Sequence, residues 1–291
     1  MSAARIAWTD LGDGIRVRQS LAFAMNSVLL LDPEHTVVVD PGVLPSELDE
    51  LARVVAEVAP AAITLFFTHA HWDHVLGRPW WPGAKTLAHD RFAEEARADR
   101  DAILSEAVTL ATKHGERWVR DFTPFKPDTA VSGLRFMRLD PWRLVLRDAP
   151  GHSASQLTCH LTDLGLLIAA DMLSDIEPPI LDGPCTPYRE TLAALVVLAE
   201  HGAIEMLVPG HGSVAEGREA VLARFRTDLD YLAALESAVR AAVERGDALE
   251  AAQEALAAMD YTGRRSATYP TDSFHRENIR FAYQGVLSHR R

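Results

Sequence analysis

The strongest constraint on the fold of this chain is a group of four histidine and aspartate side chains, candidate metal ligands, that directly follows an apolar strand. Residues 63–68 are almost continuously apolar and predict a strand in a covered sheet. The ligand-type residues His69, His71, Asp73 and His74 come next. In extended chain His69 and His71 project to the same side, whereas adjacent Asp73 and His74 point apart if a helix begins there. One loop could therefore serve two neighbouring ions, and these donors suit Zn²⁺, Fe or Mn²⁺.

Three further fragments each place one candidate ligand on a loop after an apolar strand. They are Pro150-Gly151-His152, Ala170-Asp171 and Pro209-Gly210-His211-Gly212. Loops at the edge of a rigid sheet are where catalytic groups are usually found. The glycines beside His152 and His211 permit a tight backbone there.

The rest of the chain predicts a strand-rich part followed by a helical part. Apolar and β-branched patterns predict strands over 25–31, 36–40, 134–139, 143–148, 157–162, 165–169 and 204–208. Helices are predicted from Ser46, with Asp49 completing a weak capping box, within 90–120, and from an N-cap at Thr186. From Gly217 only helical periodicity remains. His275 is assigned to a helix surface, with a position folded back over the site as the alternative. We therefore expect a core at 1–216 and a helical C-terminal extension packed on it at 217–291.

The ordered series of ligand residues resembles the metallo-β-lactamase superfamily, most of all its branch of glyoxalase II thioesterases and acyl-homoserine lactonases. The resemblance covers residues 25–213, including Asn26 and the stretch Val39-Asp40-Pro41-Gly42. It implies an α/β fold, the four-layer αββα sandwich. It further implies that His69, His71 and His152 bind one metal ion, that Asp73, His74 and His211 bind a second, and that Asp171 bridges them.

The implied mechanism uses two divalent ions, with Zn²⁺ as the expected metal and Fe or Mn²⁺ as alternatives. Such a pair lowers the pKa of a shared water to about 7, so that a metal-bound hydroxide can attack. Asp73 and Asp171 are the expected catalytic carboxylates. No serine or cysteine has the surroundings of an activated nucleophile, and Cys159 and Cys185 are expected to be buried small hydrophobes.

The predicted reaction is hydrolysis of a small ester-like bond, either a thioester or a lactone. Trp72, Trp80, Trp81 and Tyr188 are candidates for the wall of the substrate pocket, although Trp80 and Trp81 could equally pack their own loop. Two alternatives on the same fold are a mono-iron sulfur dioxygenase that oxidises persulfides and a phosphodiesterase or nuclease.

Net charge and composition limit the classes of binding partner that we expect. The formal net charge of −12 opposes binding to a phosphate backbone, so no nucleic-acid partner is expected. No apolar run reaches the roughly 18 residues of a membrane span, and the first residues lack the apolar core of a signal peptide. We expect a cytoplasmic enzyme with a small-molecule substrate, whose helical tail shapes the pocket and offers a surface for a homodimer.

Overall fold

The computed structural model describes residues 7–261, 264 and 270–288. The chain divides into two compact units, Met1–Asp148 with Ser155–Leu164 and Ala149–Ala154 with Gly165–Arg291. Strands and helices occur in both units, so the predicted mixed α/β class is confirmed. The division into a core at 1–216 and an extension at 217–291 stays a prediction.

The first unit contains a seven-stranded sheet whose strands follow sequence order. These are β1 (Ala7–Gly12), β2 (Ile15–Gln19), β3 (Asn26–Leu30), β4 (His35–Val39), β5 (Ala62–Phe66), β6 (Lys85–His89) and β7 (Thr129–Val131). Neighbours from β1 to β4 are antiparallel, and neighbours from β4 to β7 are parallel. The sense changes at β4 because the helix α1 (Pro45–Val58) carries the chain back before β5 begins. Since β5 ends at Phe66, the histidine-rich segment lies at the carboxyl end of an interior strand.

The hairpin of β1 and β2 is a feature that the apolar pattern did not predict. Charged Asp10 and Arg16 lie at exposed positions of these two strands. The turn itself carries the better signal, since Asp13 and Gly14 have positive φ angles of 49° and 79°. Asp-Gly is a preferred pair for a two-residue turn of this kind.

Helix α1 packs on the sheet through an apolar face. Its buried Leu48, Leu51 and Val55 belong to the same core cluster as Val38 of β4 and Leu65 of β5. Two more helices, α2 (Phe92–Ala98) and α3 (Arg100–Lys113), occupy the region predicted to be helical within 90–120.

The predicted capping box of α1 is wrong. The helix begins at Pro45, its N-cap residue is Leu44, and no side chain caps it. Ser46 instead donates its hydroxyl to the Glu116 carboxylate at 2.6 Å, and Asp49 accepts a hydrogen bond from the indole of a tryptophan. Proline has its φ angle already set for the first helical position, which explains the earlier start.

The first unit also holds three antiparallel strands, β8 (Leu134–Leu139), β9 (Trp142–Asp148) and β10 (Leu157–Leu161). The predicted pairing of the strands near 134–139 and 143–148 is confirmed. Along β9 the side chains of Trp142, Leu144 and Leu146 are buried at every second position, as expected of a strand with one covered face.

In the second unit, β11 (Leu166–Ile168) and β12 (Met206–Val208) are parallel, and β13 (Ala215–Glu216) pairs with β12 in the antiparallel sense. The crossover between the parallel strands contains α4 (Cys185–Glu200). Its N-cap residue is Pro184, so the predicted N-cap at Thr186 is wrong by two positions.

The tail of the second unit forms α5 (Arg218–Arg245), α6 (Leu249–Leu256) and α7 (Thr271–Ser288), which confirms its predicted helical character. Phe225, Leu232 and Leu235 of α5 lie in one core cluster with Leu192 and Leu195 of α4. None of the helices in the described ranges combines the length and the apolar character needed to span a membrane.

We predict that truncating the α5 side of this core destabilises the protein. Leu232 is fully buried, so Leu232→Ala should lower the free energy of unfolding by about 2–5 kcal/mol. Val197→Ala is the control, because Val197 on α4 is 48% exposed and its truncation should change stability by less than about 0.5 kcal/mol. Urea titration followed by circular dichroism measures the free energy of unfolding of both variants. Equal stabilities of Leu232→Ala and the wild type would contradict a core that includes the tail.

Candidate metal centre

In the first unit, three imidazole rings of the segment after β5 lie side by side. The ring centroid of His69 is 4.5 Å from that of His71 and 4.2 Å from that of His74. His69 and His74 are fully buried, and Asp73 is 7% exposed. The Asp73 carboxylate lies 3.8 Å from His74 Nε2. The loop therefore gathers the four predicted ligands of this unit, with nitrogen and oxygen donors of the kind that zinc prefers.

Asp40, the residue after β4, holds this loop through hydrogen bonds. Its carboxylate accepts hydrogen bonds from the Thr68 amide at 2.7 Å, from the Thr68 hydroxyl at 2.6 Å, and from His74 Nδ1 at 2.9 Å. A carboxylate that accepts from Nδ1 places the lone pair of the ring on Nε2, the atom available for a metal. Asp40 therefore fixes the tautomer of His74 as well as its orientation.

The same carboxylate also determines the tautomer of His69. The Thr68 hydroxyl gives its proton to Asp40, so it can only accept at its other contact, the 3.0 Å approach to His69 Nδ1. His69 then carries its proton on Nδ1 and its lone pair on Nε2. The Ala70 amide donates to Ser155 Oγ at 3.1 Å and fixes the backbone between the two histidines.

In the second unit, Asp171 joins two histidines. Its Oδ2 atom lies 3.2 Å from His152 Nε2 and 3.5 Å from His211 Nε2. All three residues are at most 8% exposed. His152 Nδ1 lies 2.9 Å from the carbonyl oxygen of Ile180 and donates to it, so the neutral ring carries its lone pair on Nε2. Burial lowers the pKa of His152, but the hydrogen bond and the charge of Asp171 raise it, and the net shift is upward.

Gly210 is required beside this group, as the sequence predicted for the glycines near His152 and His211. A Cβ atom at position 210 would lie 1.9 Å from Asp171 Oδ1, closer than any real contact. The Gly210 amide donates to the Ala170 carbonyl oxygen. The strand end that carries Asp171 and the loop that carries His211 are thus in direct backbone contact.

Glu177 is a residue that the sequence analysis did not identify. Asp171, Glu177 and His211 each offer one donor atom, and these atoms lie within 4.8 Å of one another. Glu177 is 2% exposed, unusual for a carboxylate. It lies in an irregular segment before two prolines, so no periodic pattern marks it. The second unit therefore adds an acidic side chain to the predicted ligands.

The tryptophans predicted to line a pocket pack within the first unit. Trp72 makes an edge contact with Phe23, with ring centroids 6.0 Å apart. Trp80 donates from its indole to Asp49 at 2.7 Å. Trp81 is 7% exposed and belongs to the core cluster around α1. The structure shows these packing contacts, and a part in substrate binding stays a prediction.

Tyr188 is fully buried in the second unit, where burial raises the pKa of its phenol well above the usual value. Its hydroxyl donates to the backbone carbonyl oxygen of Asp171 at 3.2 Å. Tyr188 thus supports the backbone of a predicted ligand, and its predicted contact with a substrate stays a prediction.

A model of the metallo-β-lactamase superfamily matches residues 22–233, which is more than half of this chain. The chain therefore belongs to the metallo-β-lactamase superfamily, which confirms the resemblance to that superfamily, and the branch of glyoxalase II thioesterases and acyl-homoserine lactonases stays a prediction. An acyl-coenzyme A thioesterase of Bos taurus, MBLAC2, is 27% identical over 231 residues, which cover 70% of this chain and 80% of the relative.

Two solved structures show the same fold. The sec-alkylsulfatase Pisa1 from Pseudomonas sp. matches 97% of this chain with a TM-score of 0.69 and 13% identity, and this chain spans half (50%) of its length. A metallo-β-lactamase from Pontibacter korlensis matches 76% of this chain and 99% of its own, with a TM-score of 0.54 and 14% identity. At these identities the likeness shows the fold alone, and it confirms the predicted metallo-β-lactamase fold.

We predict that Asp40 is needed for metal affinity although it is not itself a predicted ligand. Asp40→Asn removes the negative charge behind His74 and leaves an amide that can turn its NH₂ toward Nδ1. Loss of such an outer partner typically weakens metal binding about 10–100-fold. Titration of the metal-free protein with Zn²⁺ against a chromophoric chelator measures the change.

The control is Asp128→Asn, because Asp128 makes the same pair of bonds to a threonine but contacts no predicted ligand. It accepts from the Thr86 amide at 2.9 Å and from the Thr86 hydroxyl at 2.8 Å. Asp128→Asn should leave Zn²⁺ affinity unchanged. Equal affinities in Asp40→Asn and the wild type would show that Asp40 has no part in the metal centre.

Proposed function

We propose that this chain is a metal-dependent hydrolase that cleaves the thioester bond of a small acyl thioester. The observation that carries the proposal is the fixed tautomer of three buried histidines, His69, His74 and His152, whose Nδ1 atoms are bonded within the protein. This arrangement is typical of imidazole rings that bind metals through Nε2. Membership of the superfamily supports hydrolysis, and the similarity to an acyl-coenzyme A thioesterase favours a thioester over a lactone.

The donors in each unit fit divalent cations, because buried imidazole and carboxylate groups with outer hydrogen bonds are the usual surroundings of zinc. We propose that all seven ligands predicted from the sequence take part, with Zn²⁺ as the ion. His69, His71 and His152 would hold one ion, Asp73, His74 and His211 the other, and Asp171 both. When bound, such ions acidify water and polarise a carbonyl group.

The side chains themselves argue against a covalent acyl-enzyme. Burial raises the pKa of the Cys159 thiol far above neutrality and that of Cys185 to about 12, so neither is a thiolate at neutral pH. Ser153 is 1% exposed, and its neighbour His152 already donates from Nδ1 to a backbone carbonyl. Water is therefore the proposed nucleophile, with Asp73 and Asp171 as the carboxylates that hold and transfer protons.

We predict that Asp171 controls metal content. Asp171→Ala removes the oxygen that lies within 3.5 Å of both His152 and His211, so metal content and turnover should both fall, turnover by more than about 100-fold. The control is Asp230→Ala, which removes an exposed carboxylate from α5 of the same unit. Elemental analysis gives the metal content. Full occupancy together with full turnover in Asp171→Ala would rule out the proposed role.

We also predict that hydrolysis depends on metal and involves no acyl-enzyme. Chelation should abolish turnover, added Zn²⁺ should restore it, and serine-directed inhibitors should have no effect. A panel of acyl thioesters, lactones, phosphodiesters and alkyl sulfates tests the bond class, and thioesters should be cleaved fastest. A single turnover in ¹⁸O-water should place the label in the product acid. A trapped acyl-enzyme or a preference for another bond class would contradict the proposal.

A further inference from the structure

A single side chain of the C-terminal helix α7 brackets the backbone group that orients His152. Asn278 Oδ1 accepts a hydrogen bond from the Leu181 amide at 2.9 Å, and Asn278 Nδ2 donates to the Pro179 carbonyl oxygen at 2.6 Å. Between these two residues lies Ile180, whose carbonyl oxygen accepts the Nδ1 proton of His152 at 2.9 Å. The amide therefore holds both backbone neighbours of the acceptor.

This segment depends on such contacts because it has no regular structure of its own. Residues 177–181 belong to neither a helix nor a strand. Pro178 and Pro179 have no amide proton, so they cannot donate backbone hydrogen bonds. Further along, the Asp182 amide donates to the Gly151 carbonyl oxygen at 2.8 Å, beside His152. Asn278 thus supplies side-chain hydrogen bonds where backbone bonding is limited.

The orientation of the Asn278 amide is itself fixed by a buried network. Its Nδ2 atom also donates to the Tyr231 hydroxyl at 2.7 Å, and that hydroxyl lies 3.0 Å from His275 Nδ1. His275 Nε2 lies 3.0 Å from the Leu256 carbonyl oxygen and must donate to it. His275 Nδ1 is then an acceptor, Tyr231 gives it a proton, and the Tyr231 oxygen accepts from Asn278.

The predicted surface position of His275 is therefore wrong. The residue is 2% exposed, and it connects α6 to α7 through the network just described. Asn278 is fully buried, and Tyr231 is 1% exposed. Because α5 contributes Tyr231, α6 contributes the Leu256 carbonyl oxygen, and α7 contributes His275 and Asn278, the network depends on all three helices of the tail. Its last bond is made to the segment that orients His152.

We propose that Asn278 is a positioning residue of the metal centre, which sets the orientation of His152 by clamping residues 179–181. This proposal rests on the proposed function only because it treats His152 as a metal ligand. Asn278 then gives the helical tail a role in positioning a ligand, in addition to its contribution to the core. Asn278, residues 179–181 and His152 all belong to the second unit.

The experiment measures Zn²⁺ affinity of the full chain by competition with a chromophoric chelator. Asn278→Ala removes both bonds of the clamp and should weaken Zn²⁺ binding about 10-fold, the lower end of the effect of losing an outer partner. Asn278→Asp keeps an acceptor for Leu181 but turns a second oxygen toward the Pro179 carbonyl, so it should weaken binding as well. Tyr231→Phe keeps the buried aromatic ring and removes the hydroxyl that orients the Asn278 amide, so its effect on Zn²⁺ binding should be smaller.

Gln253→Ala is the matched control. Gln253 is 8% exposed, and its amide donates to the Arg276 carbonyl oxygen of α7 at 3.1 Å, away from residues 179–181. The substitution removes a side-chain hydrogen bond between α6 and α7 and leaves both hydrogen bonds of Asn278 to residues 179–181 in place. Zn²⁺ affinity should remain that of the wild type.

A second readout reports on His152 directly and needs neither substrate nor metal. In protein labelled with ¹⁵N-histidine, the Nδ1 proton of His152, assigned by its loss in His152→Gln, should exchange slowly with solvent. In Asn278→Ala, or in Tyr231→Phe if the alanine variant does not fold, exchange should accelerate at least about 10-fold, because the acceptor carbonyl is no longer held. Gln253→Ala should not alter it.

These outcomes separate the two proposals. If the wild type binds Zn²⁺ and the Asn278 variants bind it equally well, with an unchanged His152 proton, the positioning role is refuted and the proposed function stands. If the variants lose affinity while the wild type cleaves no thioester, Asn278 positions a metal ligand and the substrate assignment fails. If the wild type binds no Zn²⁺, both proposals fail.

Discussion

The arrangement of the candidate site depends on one physical constraint, the need to give the buried imidazoles of His69, His74 and His152 a hydrogen-bond acceptor at Nδ1. An unbonded polar atom in the interior is costly, and a neutral ring that donates its proton from Nδ1 carries its lone pair on Nε2. The buried carboxylate of Asp40 meets this need for His74 directly and for His69 through Thr68. The carbonyl oxygen of Ile180 meets it for His152.

The two kinds of partner are electrically different. Asp40 is an anion, so it makes the ring of His74 more electron-rich, whereas the neutral Ile180 carbonyl has a weaker effect on His152. The carboxylate is fixed by its own strand end and by Thr68, while the carbonyl belongs to an irregular segment that needs the helical tail to hold it. This difference explains why the proposed site would need the helical tail, a need that the metal-binding motif alone does not reveal.

The sequence predicted those parts of the molecule that depend on residues close together in the chain. The loop that contains His69 to His74, the strand before it and the helices of the tail could be recognised because their patterns are local. The partners that orient the ligands could not, because Asp40 lies 34 residues before His74, and Asn278 lies 97 residues after Leu181. His275 was misplaced for the same reason, since its burial depends on three helices that no local pattern brings together.

The proposed hydrolysis requires that this chain hold a pair of divalent metal ions. Elemental analysis of protein purified without a histidine tag, from cells grown in medium supplemented with Zn²⁺, measures that metal content. We expect about two metal ions per chain, and their removal by a chelator should be reversible. A chain that stays folded and active with no bound metal would contradict the proposal.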